Sequence, residues 1–338
     1  MRAPRRSVAR RSAAVAAGLT TALTLAACNQ TAGGSAAGEE EFPSKTVEIM
    51  VPAAAGGGWD STARAMQKVI EDEDVVSEPV EVFNVEGGGG ATGLSQLQKD
   101  EGDPHALMVT GLVMIGALQQ ANSPVSFEDT TPIATLTSEA EAFVVPSDSE
   151  FQSIEDVVAA YEKDPSAVTF GGGSAGGSDQ LVVAELMKEA GADPSAMKYV
   201  GYSGGGEAIA GILSGDVAVG VSGVSEFESQ IEAGDMRLLA ISTAESQDVA
   251  GETAPTLQDA GYDIDFSNWR ALVAAPGLSD EAKEQVTEAV DEMHGTDAWQ
   301  EALETNGWAD FYKTGDDAQQ YIDAEIERVA ALYEDLGL

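Results

Sequence analysis

Short apolar runs alternate with glycine-rich breaks and helical stripes along most of the chain. Residues 46–51 read as a strand, ended by Pro52 and the break Gly56-Gly57-Gly58. Trp59, Ala63, Met66, Val69 and Ile70 then recur at helical spacing, so a helix follows. A second strand over 80–83 runs into Gly87-Gly88-Gly89-Gly90 and a short helix carrying Ala91, Leu94 and Leu97. Residues 107–109 form a third strand, ending at Thr110.

The next unit begins at the strand near Phe143. Ser153 followed by Asp156 has the form of a helix N-cap, and Ile154, Val157, Val158 and Tyr161 supply the buried stripe behind it. Strands at 168–170, 198–200, 217–221 and 238–241 are separated by helices near 179–190 and from Ala208. Residues 269–273 make a return strand. Ser279 caps a helix that turns Val286, Ala289, Val290 and Met293 inward, with Asp280 and Glu281 at its positive end. A long final helix from Asp317 offers Tyr321, Ile322, Ile326, Val329 and Tyr333 for burial.

Repeated strand–loop–helix units predict an α/β protein with parallel sheets flanked by helices. The chain has 338 residues, near the limit of a single core. Two lobes are therefore expected: 43–143 plus 268–338, and 144–267, with crossings near 143 and 268.

The start of the chain has a different grammar. Five arginines precede Cys28 without an acid, and small apolar residues fill 12–27. That order predicts a signal peptide over 1–27. Leu25-Ala26-Ala27-Cys28 resembles the bacterial lipobox. The resemblance implies cleavage before Cys28, lipidation of its thiol and a tether over 28–42 on the outer face of the cell membrane. Cys28 is the single cysteine, so the chain forms no internal disulfide. Only two histidines, His105 and His294, accompany it, and no metal site or cofactor is expected.

The net charge is −41, and without 1–27 the chain keeps 12 basic residues against 58 acidic ones. Such a surface repels nucleic acid. It also repels an anionic ligand at long range, so a carboxylate site needs strong local donors.

Helix N-termini entered through glycine are such donors, because their first amides are unsatisfied and the backbone can approach closely. Gly56-Gly57-Gly58 is the best placed and Gly87-Gly88-Gly89-Gly90 the next. Neither continues as a P-loop, and Gly171-Gly172-Gly173 lacks the full dinucleotide fingerprint. Asp60 can orient its loop, cap helix amides or accept from a ligand hydroxyl or ammonium. Trp59 can cover a ligand or pack beneath the loop. No serine–histidine–acid order supports a hydrolase.

Taken in order, Phe42-Pro43-Ser44-Lys45, Pro52-Ala53-Ala54-Ala55-Gly56-Gly57-Gly58-Trp59-Asp60, Gly87-Gly88-Gly89-Gly90-Ala91-Thr92-Gly93, Tyr202-Ser203-Gly204-Gly205-Gly206 and Trp269-Arg270-Ala271-Leu272-Val273 resemble the substrate-binding family of tripartite tricarboxylate transporters. The resemblance spans 43–338. It implies a bilobal periplasmic-binding-protein-like fold of type II, with two discontinuous lobes, a hinge and no enzymatic activity. It further implies a small organic carboxylate as ligand (a dicarboxylate, a tricarboxylate or an amino-containing acid), delivered by a monomeric receptor to large and small permease subunits. By position it assigns Ala54, Gly58, Trp59 and Asp60 to a first ligand loop and Gly89, Ala91 and Thr92 to a second. Thr110 follows the third strand, while Ser174, Tyr202, Gly204 and Gly205 belong to the opposing lobe. Departures from the family pattern include Ala53, Trp59, Ser203 and Asp179, and Asp179 favours a ligand bearing an amino group. An exported α/β hydrolase and a bilobal sensory module are the alternative readings.

Overall fold

The structure, a computed structural model, describes residues 42–121, 123–173, 175–202 and 205–337. Cys28, with the expected signal peptide and nearly all of the tether, lies outside them.

The first third of the chain lays down β1 (Val47–Val51), α1 (Gly58–Asp72), β2 (Val80–Asn84), α2 (Ala91–Leu97), β3 (Ala106–Gly111) and α3 (Leu112–Gln120). The long strand β4 (Thr131–Pro146) follows. Next come α4 (Ile154–Lys163), β5 (Thr169–Gly172), α5 (Ser178–Glu189), β6 (Lys198–Gly201) and α6 (Gly205–Ser214). They are succeeded by β7 (Val219–Gly223), α7 (Val224–Glu232), β8 (Met236–Ile241) and the two-residue strands β9 (Asp248–Val249) and β10 (Glu252–Thr253). The chain closes with β11 (Ser267–Ala274), α8 (Asp280–His294), α9 (Asp297–Asn306), β12 (Ala309–Thr314) and α10 (Gly315–Leu336).

Strand pairing falls into two groups that share β4. β2, β1 and β3 are parallel, and β11 runs antiparallel between β3 and β4. The stretch of β4 from Thr131 to Ala140 pairs with β11, and β12 pairs within the same stretch. From Glu141 onward β4 pairs instead with β7 and β8, while β5 lies parallel to β6 and β7.

Each group has helices on both faces. Ala63, Met66, Val69 and Ile70 of α1 join Val286, Val290 and Met293 of α8 and Trp299 of α9 in one core. Ile212 of α6 and Phe227 of α7 pack in another. The largest core runs from Leu94 and Leu112 through Tyr161 and Leu186 to Val329 and Tyr333. Burial of this scale is the main stabilising term, at roughly 1.5–3 kcal/mol for each large side chain removed from water.

Local signals held where they were strong. Ser153 and Asp156 form a reciprocal capping box, and the Ser279 hydroxyl accepts from the Ala282 amide. Tyr321 and Ile326 are only partly buried, whereas Ile322, Val329 and Tyr333 are buried as expected. One boundary was misplaced. The strand expected to begin near Phe143 begins at Thr131. The strand contains Thr135, Thr137, Ser138, Glu139 and Glu141, all buried, so its central part was hidden behind polar residues.

The loop between β1 and α1 is locked by one carboxylate. Asp60 Oδ2 accepts from the Gly56 amide at 2.8 Å and from Arg64 Nε at 2.9 Å. Its Oδ1 accepts from Asn84 Nδ2 at 3.0 Å, and Asn84 Nδ2 also donates to the Ala53 carbonyl at 3.0 Å. Asp60 thereby ties loop, helix and β2 together. Burial alone would raise its carboxyl, but the Arg64, Gly56 and Asn84 donors outweigh that and hold it below the usual range.

Replacing Asp60 with alanine should cost about 2–3 kcal/mol, because buried donors lose a charged acceptor. A depressed carboxyl stabilises the fold above its unfolded pKa and loses that contribution as pH falls through its folded one. Urea melts of Asp60→Ala and the native chain should therefore differ at neutral pH and converge on acidification.

Candidate functional site

A cleft of about 1140 Å³ opens beside the first glycine loop and is lined by 53–58, Ser61, Glu139, Ser225, Glu226, Arg270 and Trp308, among others. A smaller space of about 250 Å³ shares Gly58, Glu139, Glu226 and Arg270 with it and adds Trp59, Ser178, Asp179, Ser222 and Asn268. Sharing that wall, they form one site, the larger space its outer part and the smaller its inner part.

Three helices start at this site: α1 at Gly58, α5 at Ser178 and α7 at Val224. Each is preceded by a glycine, and none has a side-chain cap. Their positive ends offset part of the acidity and leave backbone donors at the wall.

The charged centre is Arg270, only 5% exposed. Its Nη2 meets Glu139 Oε2 at 2.9 Å, and its guanidinium lies 5.2 Å from the Trp308 ring centroid. The register of β11 against β4 shifts just after Arg270, a bulge of the kind that re-aims a side chain. Glu139 Oε1 also accepts from the Ser225 amide at 3.0 Å and from the Ser225 hydroxyl. Arg270 Nη1 is buried without a hydrogen-bond partner among the described residues. A planar fork with one tine engaged and one unengaged is suited to a carboxylate.

Glycine makes room for these charges. A Cβ at Gly58 would lie 2.6 Å from Arg270 Nη2, and one at Gly223 would lie 2.7 Å from Glu139 Oε1. A Cβ at Gly172 would collide with both the Tyr199 hydroxyl and Asp179.

Acids dominate the inner wall. Asp179 is 5% exposed and accepts from the Ser178 hydroxyl at 3.3 Å and from Tyr199. Burial, then the charge of Asp179, drive the Tyr199 phenol well above its ordinary range. Glu226, although exposed as a residue, accepts from the Ser222 hydroxyl at 3.0 Å, and partial desolvation of its carboxyl raises it. Glu141 is wholly buried, and neither of its oxygens makes a hydrogen bond of normal geometry among the described residues. Burial first and Asp179 second push its carboxyl far upward, against a weak opposing influence of Ser178.

The residues named from the sequence divide accordingly. Ala54 and Gly58 line the outer cleft, and Gly58, Trp59 and Asp179 line the inner one. Asp60 is turned beneath its loop and lines neither part. Gly89, Ala91 and Thr92 also lie away from both parts. A Cβ at Gly89 would strike Ala117 at 2.2 Å, so this turn packs against α3. The Thr110 hydroxyl is buried against Met114 Sδ at 3.2 Å. The Tyr202 ring fills the space left by Gly171 and Gly211. Gly205 opens α6, while Ser174 and Gly204 lie outside the described residues. His105 and His294 are bonded to Asp103 and Asp310, away from the cleft.

Sequence reasoning did not select Arg270, Glu139, Glu141 or Glu226 as site residues. Glu139 and Arg270 are 131 positions apart, and only strand register brings them together.

Comparison with known proteins places this architecture. Bordetella pertussis protein BugT is 24% identical over 303 residues, covering 88% of this chain and 91% of its own. MatC from Rhodopseudomonas palustris, solved with bound malate, is 21% identical with a TM-score of 0.69, over 86% of this chain and 99% of that one. A TctC solute-binding protein from Polaromonas is 21% identical with a TM-score of 0.71, over 87% and 100%. The mixed α/β fold is therefore that of periplasmic solute receptors. Residues 63–338 match the model of the tripartite tricarboxylate transporter family receptor, and the chain belongs to that family.

Proposed function

We propose that the cleft captures a small organic carboxylate and that the chain presents it to large and small membrane-permease subunits. The observation that carries this reading is the buried Arg270 guanidinium, whose Nη1 is without a partner among the described residues beside the amide-rich start of α1. Malate in MatC is a small carboxylate of the right class. One ligand oxygen would accept a hydrogen bond from Arg270 Nη1, and the backbone amides of Gly57 and Gly58 would donate to others. The outer cleft is larger than such a ligand, so narrowing is part of the mechanism. Lobes 43–143 plus 268–338 and 144–267 would close by bending at β4 and near Asn268, excluding water and strengthening the charged contacts. Cys28 would carry the lipid that keeps a monomeric receptor at the outer face of the membrane, near the permease. Ala54, Gly58 and Trp59 are the loop residues assigned to the ligand, with Asp60 holding the loop in shape.

Calorimetry with mono-, di- and tricarboxylates tests the reading; no heat from any of them would end it. Arg270→Lys keeps the charge but loses the planar fork and should weaken binding at least about tenfold. Arg270→Ala leaves Glu139 buried without its cation, so it should also lower stability by about 3–5 kcal/mol in thermal melts. Gly58→Ala should displace the Arg270 guanidinium from both ligand and Glu139, so affinity and melting temperature should fall together.

A further inference from the structure

Two of the three helix starts at the cleft are already filled by the chain's own acids. Asp179 lies in the first turn of α5 and Glu226 in that of α7, and both line the inner part. Their charges use up much of the favourable potential that an anion would find there. Some of the amides are taken as well. Glu139 accepts from the Ser225 amide at 3.0 Å, and the Gly176 amide ahead of α5 donates to Gln180 at 2.9 Å. The start of α1 differs. Its first-turn acid, Asp60, is turned beneath the loop, is answered by Arg64 and lines neither part. Gly57 and Gly58 line both parts, and Gly58 lies against the Arg270 guanidinium.

The lining charges point the same way. Arg270 is the one cation among the described residues lining either part, and Glu139 already answers it at 2.9 Å. A carboxylate on Arg270 Nη1 is held by the fork and by the start of α1. A second carboxylate on the same ligand would meet Asp179 and Glu226 in the inner part, or Glu228, Asp248 and Glu304 in the outer one. Like charges brought together in a narrowed, water-poor space repel strongly. Trp59 and Val113, both half-buried, give the inner part an apolar side that suits an uncharged body.

We propose that the site accepts one carboxylate only, so that the ligand is a monoanionic acid with an uncharged body, and that Asp179 and Glu226 turn away di- and tricarboxylates. The acids act by exclusion and hold nothing. What marks the ligand's own place is Arg270 Nη1, buried and without a partner among the described residues. Malate, the dicarboxylate bound in MatC, is among the ligands refused. The limit rests on the carboxylate reading of the same cleft, and its test separates the two.

Calorimetry on the full-length protein would use pairs that differ in one charged end: malate with β-hydroxybutyrate, succinate with succinamate, and adipate with its monomethyl ester. Mildly alkaline buffer keeps Glu226 charged in spite of its raised carboxyl. In every pair that gives heat the monoanion should bind at least about tenfold more tightly, the effect of one unfavourable charge contact. Asp179→Asn should narrow that ratio by admitting the dianion, and Glu226→Gln supplies the same test if Asp179→Asn fails to fold. Loss of packing alone would weaken both members together and leave the ratio where it was. Equal or tighter binding of the dianion in any pair would overturn the one-carboxylate limit and leave the carboxylate reading standing. A ratio unchanged in both variants would overturn the role given to Asp179 and Glu226. Silence from every compound would overturn the limit and the carboxylate reading together.

Discussion

The cleft depends on a guanidinium held away from water beside a carboxylate where β11 runs against β4. Such a pair is costly to desolvate, and its mutual attraction offsets that cost only with close geometry and extra hydrogen bonds. Here Ser225 supplies those bonds from the start of α7, so one ion pair ties two strands to a helix. The pair also determines which residues around it are tolerable. Gly58 and Gly223 leave space for the two charged heads, and Trp308 shields one side of the guanidinium. A larger residue at either glycine would move a charge before it moved the fold.

Much of the architecture was legible because local periodicity and capping agree with the tertiary packing. The α1 stripe, the Ser153 and Ser279 caps and the buried side of α10 all follow from spacing that a helix imposes. The central strand was less legible. A half-buried strand shows alternation, but β4 is buried on both faces and carries Glu139 and Glu141 where alanine or valine would have signalled a core. Glu139 is held by partners distant in sequence, which no local pattern reports.

The site was legible in outline only. The glycine loop before α1, marked from the sequence as an anion-site candidate, lines the cleft at an uncapped helix start. The run 87–90 carries a similar signal, yet four positive φ values and the nearness of Ala117 and Met114 give it a packing role. Glycine clusters thus report close approach without saying what approaches. Asp60 shows the same ambiguity from the polar side: a carboxylate near a ligand loop serves the loop itself when three donors already face it.

The last helix adds a mechanical constraint. The Tyr333 hydroxyl donates to the Gly176 carbonyl at 2.5 Å, Arg328 bridges Glu325 and Glu185, and Lys188 reaches Asp335. All of these link α10 to α5 or to the turn before it. The Trp269 indole donates to Glu325 at 2.8 Å, which fastens the same helix to β11. Sliding α5 along α10 would tear several of these charged contacts at once, so the two helices are fixed in register as well as in contact.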